Sequence, residues 1–189
     1  MPEPRLTLAS RSPRRSEILS SIEVPFDVSA TEIDETRLEN ELPADMVVRL
    51  ALSKARAVAA RTTGLVLGAD TAVVLGERVF GKPADENAAI RTLLALGGTK
   101  HEVMTGVALI ANGAERTALS VTEVRFRDIG RDEARRYWQS GEPRDKAGAY
   151  AIQGRGGVFV EAIMGSFTGV MGLPVYETAG LLTQAGMDL

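Results

Sequence analysis

The segment Ser10-Arg11-Ser12-Pro13-Arg14-Arg15 gathers hydroxyls and guanidinium groups around one proline. Proline is favoured at the first helical position and serine before it suits an N-cap, so the spacing predicts a helix starting at Pro13. Arg14 and Arg15 then fall in its first turn, where cations oppose the helix dipole at a cost of ~0.3–1 kcal/mol each. Backbone N–H groups, two serine hydroxyls (Ser10 and Ser12) and two guanidinium forks at one helix start form a phosphate cradle. A solvated basic helix start is the plainer alternative. The proline, the serines and a strand-to-helix context favour the cradle.

Asp70 interrupts the apolar run Leu65-Val66-Leu67-Gly68-Ala69-Asp70-Thr71-Ala72-Val73-Val74-Leu75. A buried carboxylate is expensive unless it meets a metal, a cation or a set of donors. A structural aspartate bonded to backbone amides is the alternative; the functional role is favoured. Lys54 lies on the helical stripe of Leu50 and Val58, so its ammonium either snorkels to the surface or points into a cleft. Lys82 sits in the constrained turn Gly81-Lys82-Pro83. Two lysines and two arginines around one carboxylate would suit a triphosphate, whose charge must be neutralised before water attacks phosphorus. The acidic loop Glu32-Ile33-Asp34-Glu35 is the nearest supply of further oxygen ligands for a metal on Asp70, although most such loops are simply solvated. In Asp145-Lys146-Ala147-Gly148-Ala149-Tyr150-Ala151-Ile152-Gln153-Gly154, the carboxamide of Gln153 offers a donor and an acceptor to a base edge. A glycine-rich loop with turn duties explains that block equally well. His101 reads as structural or surface, and Tyr137 and Trp138 as core or interface.

Composition bounds these readings. The chain has 189 residues, 44% of them apolar, which suits one domain spanning 1–189, with room for a cleft between two lobes. With 22 basic and 25 acidic residues interspersed, there is no electrostatic footprint for nucleic-acid or membrane binding. The absence of cysteine excludes disulfides and thiolate sites, and one histidine excludes a multi-histidine metal centre. Any metal would be held by carboxylates, which favour magnesium or manganese. No stretch reaches signal-peptide or membrane-span length, so a cytoplasmic protein is expected.

The elements that must position these residues follow from local signals. Residues 6–9 read as a buried strand, 13–21 as a helix, and 28–41 as loop. Helical spacing over 45–61 places Val47, Leu50, Ala57 and Val58 on one stripe. The 65–75 run reads as β, broken at Gly68-Ala69-Asp70. Asp85 caps a helix through Leu96 that Gly97-Gly98 ends. Strands over 103–111 and 118–126 flank the hairpin signal Asn112-Gly113. A short helix follows at 132–139, then a glycine-rich region, then a last helix near Pro174. Mixed strands and helices with an antiparallel hairpin mean an α/β or α+β fold.

Leu8-Ala9-Ser10-Arg11-Ser12-Pro13-Arg14-Arg15, with Glu17-Ile18-Leu19, resembles the opening signature of the Maf-like (septum formation inhibitor) nucleotide pyrophosphatases. The likeness continues through Gly68-Ala69-Asp70-Thr71, Gly81-Lys82-Pro83, His101-Glu102-Val103-Met104-Thr105-Gly106-Val107, the block from Asp145 to Gly154, and Gly172-Leu173-Pro174. The resemblance implies an α/β fold, a mixed sheet with flanking helices and two lobes around a central cleft, similar to inosine-triphosphate pyrophosphatases, and often a homodimer. It implies metal-dependent cleavage of nucleoside triphosphates between the α- and β-phosphates, with magnesium or manganese. Carried over by position, Asp70 would be the proton acceptor that activates water. Arg14, Thr71 and Gln153 would shape substrate choice. Ser10, Arg15, Lys54, Lys82 and Glu35 would complete the phosphate and metal surroundings.

The Ala149-Tyr150-Ala151-Ile152-Gln153-Gly154 block is similar to the branch acting on dTTP and UTP. The chain departs from the family at Ser166-Phe167-Thr168-Gly169-Val170, where a tyrosine and an asparagine are common. The rival readings are a pyrophosphatase for 7-methyl-GTP or for modified nucleotides broadly, and a binding protein in division control. The latter gives no reason for a buried Asp70 beside a phosphate cradle.

Overall fold

A computed structural model describes residues 5–30 and 32–189. Its strands are β1 (Leu6–Leu8), β2 (Phe26–Val28), β3 (Leu65–Leu75), β4 (Arg78–Phe80), β5 (Lys100–Ala111), β6 (Ala114–Phe126) and β7 (Val160–Met164). Its helices are α1 (Pro13–Ser21), α2 (Pro43–Ala59), α3 (Glu86–Leu96), α4 (Arg131–Gln139), α5 (Phe167–Met171) and α6 (Val175–Gln184). Short 3-10 turns cover Glu142–Asp145, Ala147–Ala149 and Arg155–Phe159. The strands form one sheet in the order β2-β1-β3-β5-β6-β7, with β4 paired to β3. β1 runs parallel to β2 and β3, Leu6 pairing with Phe26 and Leu65, whereas β4 and β7 run antiparallel to β3 and β6. The mixed sheet with flanking helices is the expected α/β architecture. Among the described residues no helix is long and apolar enough to cross a membrane.

The chain divides into two compact units. One comprises the chain up to Asp70, Thr105–Ser120 and Gly172–Leu189; the other comprises Thr71–Met104 and Val121–Met171.

In the first unit every residue of β1 is buried, as a strand paired on both edges and covered on both faces requires. α2 presents Val47, Leu50, Ala51, Ala55 and Val58, so the buried stripe includes Ala51 and Ala55 rather than the expected Ala57. The sequence predicts a break in the 65–75 run at Gly68; β3 is in fact continuous. Gly68 serves packing instead. A Cβ there would lie 2.2 Å from the Ala51 carbonyl oxygen, and one on Gly106 would lie 2.4 Å from that of Val47. The two glycines let α2 approach the backbones of β3 and β5 directly. At the hairpin, Asn112 and Gly113 both take positive φ, 51° and 80°, as a two-residue primed turn demands.

The second unit has its own core, with Val73, Phe80, Ile90, Leu93, Leu96, Phe126 and Phe159 buried and α3 packed on α4. α3 starts where Asp85 accepts a 2.7 Å bond from the Ala88 amide, as predicted. β5 and β6 begin three and four residues earlier than their apolar patterns indicate, because strand pairing carries polar residues into the ladder. His101 is structural and buried, edge-on to Phe126 and Tyr150, with Nε2 2.9 Å from the Tyr150 hydroxyl. Tyr137 is buried in the same core and Trp138 packs against it.

Candidate active site

β3 carries Asp70 as its sixth residue, and the strand's apolar neighbours leave that residue buried. α2 lies close above β3, so Lys54, one turn from Leu50 and from Val58, reaches down rather than snorkelling out. Its ammonium nitrogen stands 2.6 Å from Asp70 Oδ1 and 2.7 Å from Glu35 Oε1. Burial raises the Asp70 pKa above the ordinary carboxylate value; the charge and hydrogen bond of Lys54, then the charge of Arg15, oppose the rise, and Glu35 adds to it.

Ser10 follows β1 and is buried. Its Oγ accepts a 3.1 Å bond from Arg15 Nη1 and a 3.2 Å bond from the Ser12 amide. Arg15 Nε donates to the Gly172 carbonyl at 2.8 Å, so two fixed acceptors set the plane of the guanidinium. Burial lowers the Arg15 pKa, Asp70 and Glu35 oppose that, and Arg14, half-buried in the same turn, reinforces it. Ser12 does occupy the N-cap position with extended backbone, but its hydroxyl makes no capping bond. The expected cap is replaced by Ser10, whose side chain takes the Ser12 N–H.

The acidic loop is held by residues that give no sequence signal. Arg49 of α2 donates to both Glu41 carboxylate oxygens, at 2.5 and 2.8 Å, and to the Thr36 carbonyl at 3.1 Å. Arg37 closes the loop onto the Glu41 carbonyl at 2.6 and 2.9 Å, and Asp34 accepts from the Thr36 amide at 2.9 Å. This clasp anchors the chain next to Glu35. The bonds from Arg49 hold the Glu41 carboxyl at about 2.

Ser10, Arg14, Arg15, Glu35, Lys54 and Asp70 therefore all belong to the first unit, and Asp70 is linked directly to Lys54 and through it to Glu35. The other three expected site residues belong to the second. Thr71 follows Asp70 on β3 and is half-buried, with its side chain on the opposite face of the strand. Lys82 is exposed just after β4, in a turn whose Gly81 carbonyl accepts a 3.2 Å bond from the Gly148 amide. That bond joins the Lys82 turn to the 145–154 block. Gln153 is exposed in a turn within that block.

Among the described residues no cluster of three or more His, Cys, Asp or Glu side chains could hold a metal. Asp70 and Glu35 nevertheless converge on one cationic atom, the Lys54 nitrogen. Magnesium commonly takes one or two carboxylates and completes its shell with water and substrate phosphates. Two hard oxygen donors brought to a shared cation fit that requirement.

A family model described as Maf-like protein matches residues 5–185. The chain belongs to the Maf-like family. The dTTP/UTP pyrophosphatase of Anaeromyxobacter dehalogenans (strain 2CP-C) is 52% identical over 190 residues, covering 98% of this chain and 96% of that protein. The dTTP/UTP pyrophosphatase of Symbiobacterium thermophilum is 48% identical over 186 residues, with the same coverage. Among solved structures, the Ham1 protein of Staphylococcus aureus matches 66% of this chain and 72% of its own, with 16% identity and a TM-score of 0.49.

Proposed function

We propose that this Maf-like chain hydrolyses dTTP and UTP to the monophosphate and pyrophosphate. The names carried by relatives at about half identity over nearly the whole chain support the substrates. The observation that carries the chemistry is Asp70: a carboxylate enclosed by a strand, raised in pKa by burial, and held by the Lys54 ammonium. In this reading Asp70 takes the proton of the attacking water while the anhydride between the α- and β-phosphates breaks and pyrophosphate leaves. A raised pKa makes it a better base than an exposed aspartate, while the charge and hydrogen bond of Lys54 favour its ionised form.

Each cation has a distinct part. Lys54 spends two of its three donors on Asp70 and Glu35, leaving one for a phosphate oxygen. Arg15, oriented by Ser10 and Gly172, presents a fixed fork to the triphosphate, and Ser10 sets that fork. Lys82 adds a point charge. Magnesium or manganese would be held by Asp70 and Glu35, and when bound it supplies neutralisation of the phosphate charge. Arg14, Thr71 and Gln153 shape substrate choice. The thymine and uracil edge has two carbonyl acceptors flanking an N–H donor, which a carboxamide can meet with both of its functions.

The test is product analysis by chromatography after incubation with a panel of triphosphates and magnesium or manganese. We expect dTMP or UMP with pyrophosphate; dTDP or UDP as the first product rejects the reading. We further propose that the enzyme works in the cytoplasm as a homodimer. Ile163, Met164 and Phe167 remain exposed and offer apolar area to a second copy. A monomer in sedimentation velocity at micromolar concentration rejects the dimer.

A further inference from the structure

The turn that carries Gln153 is fastened on both sides by two side chains that the proposed chemistry does not use. The Glu142 carboxylate accepts from the Arg155 amide through Oε2 at 3.0 Å and from the Gly156 amide through Oε1 at 3.0 Å. The Tyr137 hydroxyl donates to the same Oε1 at 2.6 Å and accepts from the Ala151 amide at 3.1 Å. Backbone N–H groups two residues before Gln153 and two residues after it are thus tied to one carboxylate–phenol pair. The turn adds its own bond, Gly154 amide to Ala151 carbonyl, at 3.2 Å.

The glycines of this stretch are sized to the pair. A Cβ on Gly154 would lie 2.5 Å from Glu142 Oε2, and one on Gly156 would lie 2.6 Å from the Tyr137 hydroxyl. The chain therefore wraps against the carboxylate and phenol with backbone alone. The pair is itself rigid. Tyr137 projects from α4 into the core, its ring edge-on to Phe159 with centroids 5.1 Å apart. Burial works to raise the Glu142 pKa, but the bonds from Tyr137, Arg155 and Gly156 outweigh it and keep the group ionised. Both oxygens of Glu142 are taken by these donors, which argues against a role in holding substrate or metal.

We propose that Glu142 and Tyr137 are positioning residues for base choice, fixing the backbone on either side of Gln153 so that its carboxamide meets the base in one orientation. This rests on the reading of Gln153 as a residue that contacts the base. Loosening the turn costs most where recognition depends on the direction of both carboxamide groups, and little where it does not. A displacement of about 1 Å can cost as much as a hundredfold in rate; for a turn freed on one side we expect about tenfold.

The experiment compares the wild type with Tyr137→Phe, Glu142→Gln and Gln153→Glu. Tyr137→Phe keeps the ring against Phe159, and Glu142→Gln keeps the shape and one acceptor, so both should fold. Two readouts are taken: amide hydrogen exchange at Ala151, Arg155 and Gly156, and kcat/KM for dTTP, UTP, GTP and 7-methyl-GTP. We expect faster exchange at these amides in the Tyr137 and Glu142 variants. We expect the preference for pyrimidine over purine triphosphates to fall about tenfold in both. Unchanged exchange overturns the clamp. Faster exchange with an equal loss on all four nucleotides overturns the role in base choice, leaving a structural one. If Gln153→Glu leaves the preference intact while the other two variants reduce it, the Gln153 reading fails and the clamp stands. If only Gln153→Glu reduces it, the reading stands and this inference fails.

Discussion

Asp70 and Lys54 are a pair whose two members should fail differently when replaced. Asp70→Asn keeps the volume and removes a charge that burial disfavours, so the fold should survive with stability changed by no more than about 1–2 kcal/mol. Lys54 would keep Glu35 as its partner. Turnover should fall by roughly 10²–10⁴-fold, the usual worth of a positioned acid–base group. Lys54→Met leaves a carboxylate that is only 11% exposed without its cation. Breaking a buried pair by removing one partner costs ~3–5 kcal/mol, so this variant should be the less stable of the two by urea unfolding at pH 7. A near-normal rate for Asp70→Asn assigns Asp70 to structure. Equal stability of the two variants shows that the ion pair is not what offsets Asp70's burial.

At the scale of elements, Lys54 reaches Asp70 only because α2 lies close on β3, and Gly68 is the residue that allows it. Gly68→Ala would put a methyl 2.2 Å from the Ala51 carbonyl oxygen, and only a shift of the helix could relieve that contact. Overpacking of this kind costs ~1–3 kcal/mol. Because α2 carries Lys54, and Arg49 of α2 anchors the Glu35 loop, activity should fall well beyond the loss of stability. Gly76→Ala is the control: its Cβ would meet nothing within 4 Å, although its positive φ carries some strain. Equal kcat/KM for the two variants at 20 °C would show that helix–strand spacing does not set the site.

α1, α3 and the β5–β6 hairpin were legible because Pro13, Asp85 with Gly97, and Asn112-Gly113 mark them locally. β2, β7 and α5 have three to five residues each and owe their form to partners distant in sequence, such as the pairing of Leu6 with Phe26. The chemical residues Ser10, Arg15, Lys54 and Asp70 stood out by type and context. Their supports did not: Arg49 with Glu41, and Tyr137 with Glu142, are ordinary residues until the fold turns them toward one another.

For the molecule as a whole, the composition makes one pH effect unusually easy to assign. There is a single histidine and no cysteine, so no other side chain ordinarily titrates between about pH 5 and pH 7.5. His101 is 2% exposed, and among the described residues its Nδ1 has no hydrogen-bond partner. Burial pushes its pKa down to about 4, against an ordinary 6.5. Between those values the unfolded chain binds a proton that the folded chain does not, so stability rises with pH. The contribution is full above pH 6.5 and is lost as pH falls toward 4, by about 3 kcal/mol in total. Asp70, raised rather than lowered, acts in the opposite direction and cannot produce this slope. Urea unfolding at pH 7.5 and pH 5 should therefore show a clear loss at the lower pH in the wild type. In His101→Gln, which can still hydrogen-bond the Tyr150 hydroxyl but does not titrate, that loss should largely vanish even if the variant is less stable overall. An unaltered slope in His101→Gln would move the pH sensitivity away from the aromatic cage of the second unit and onto the carboxylates.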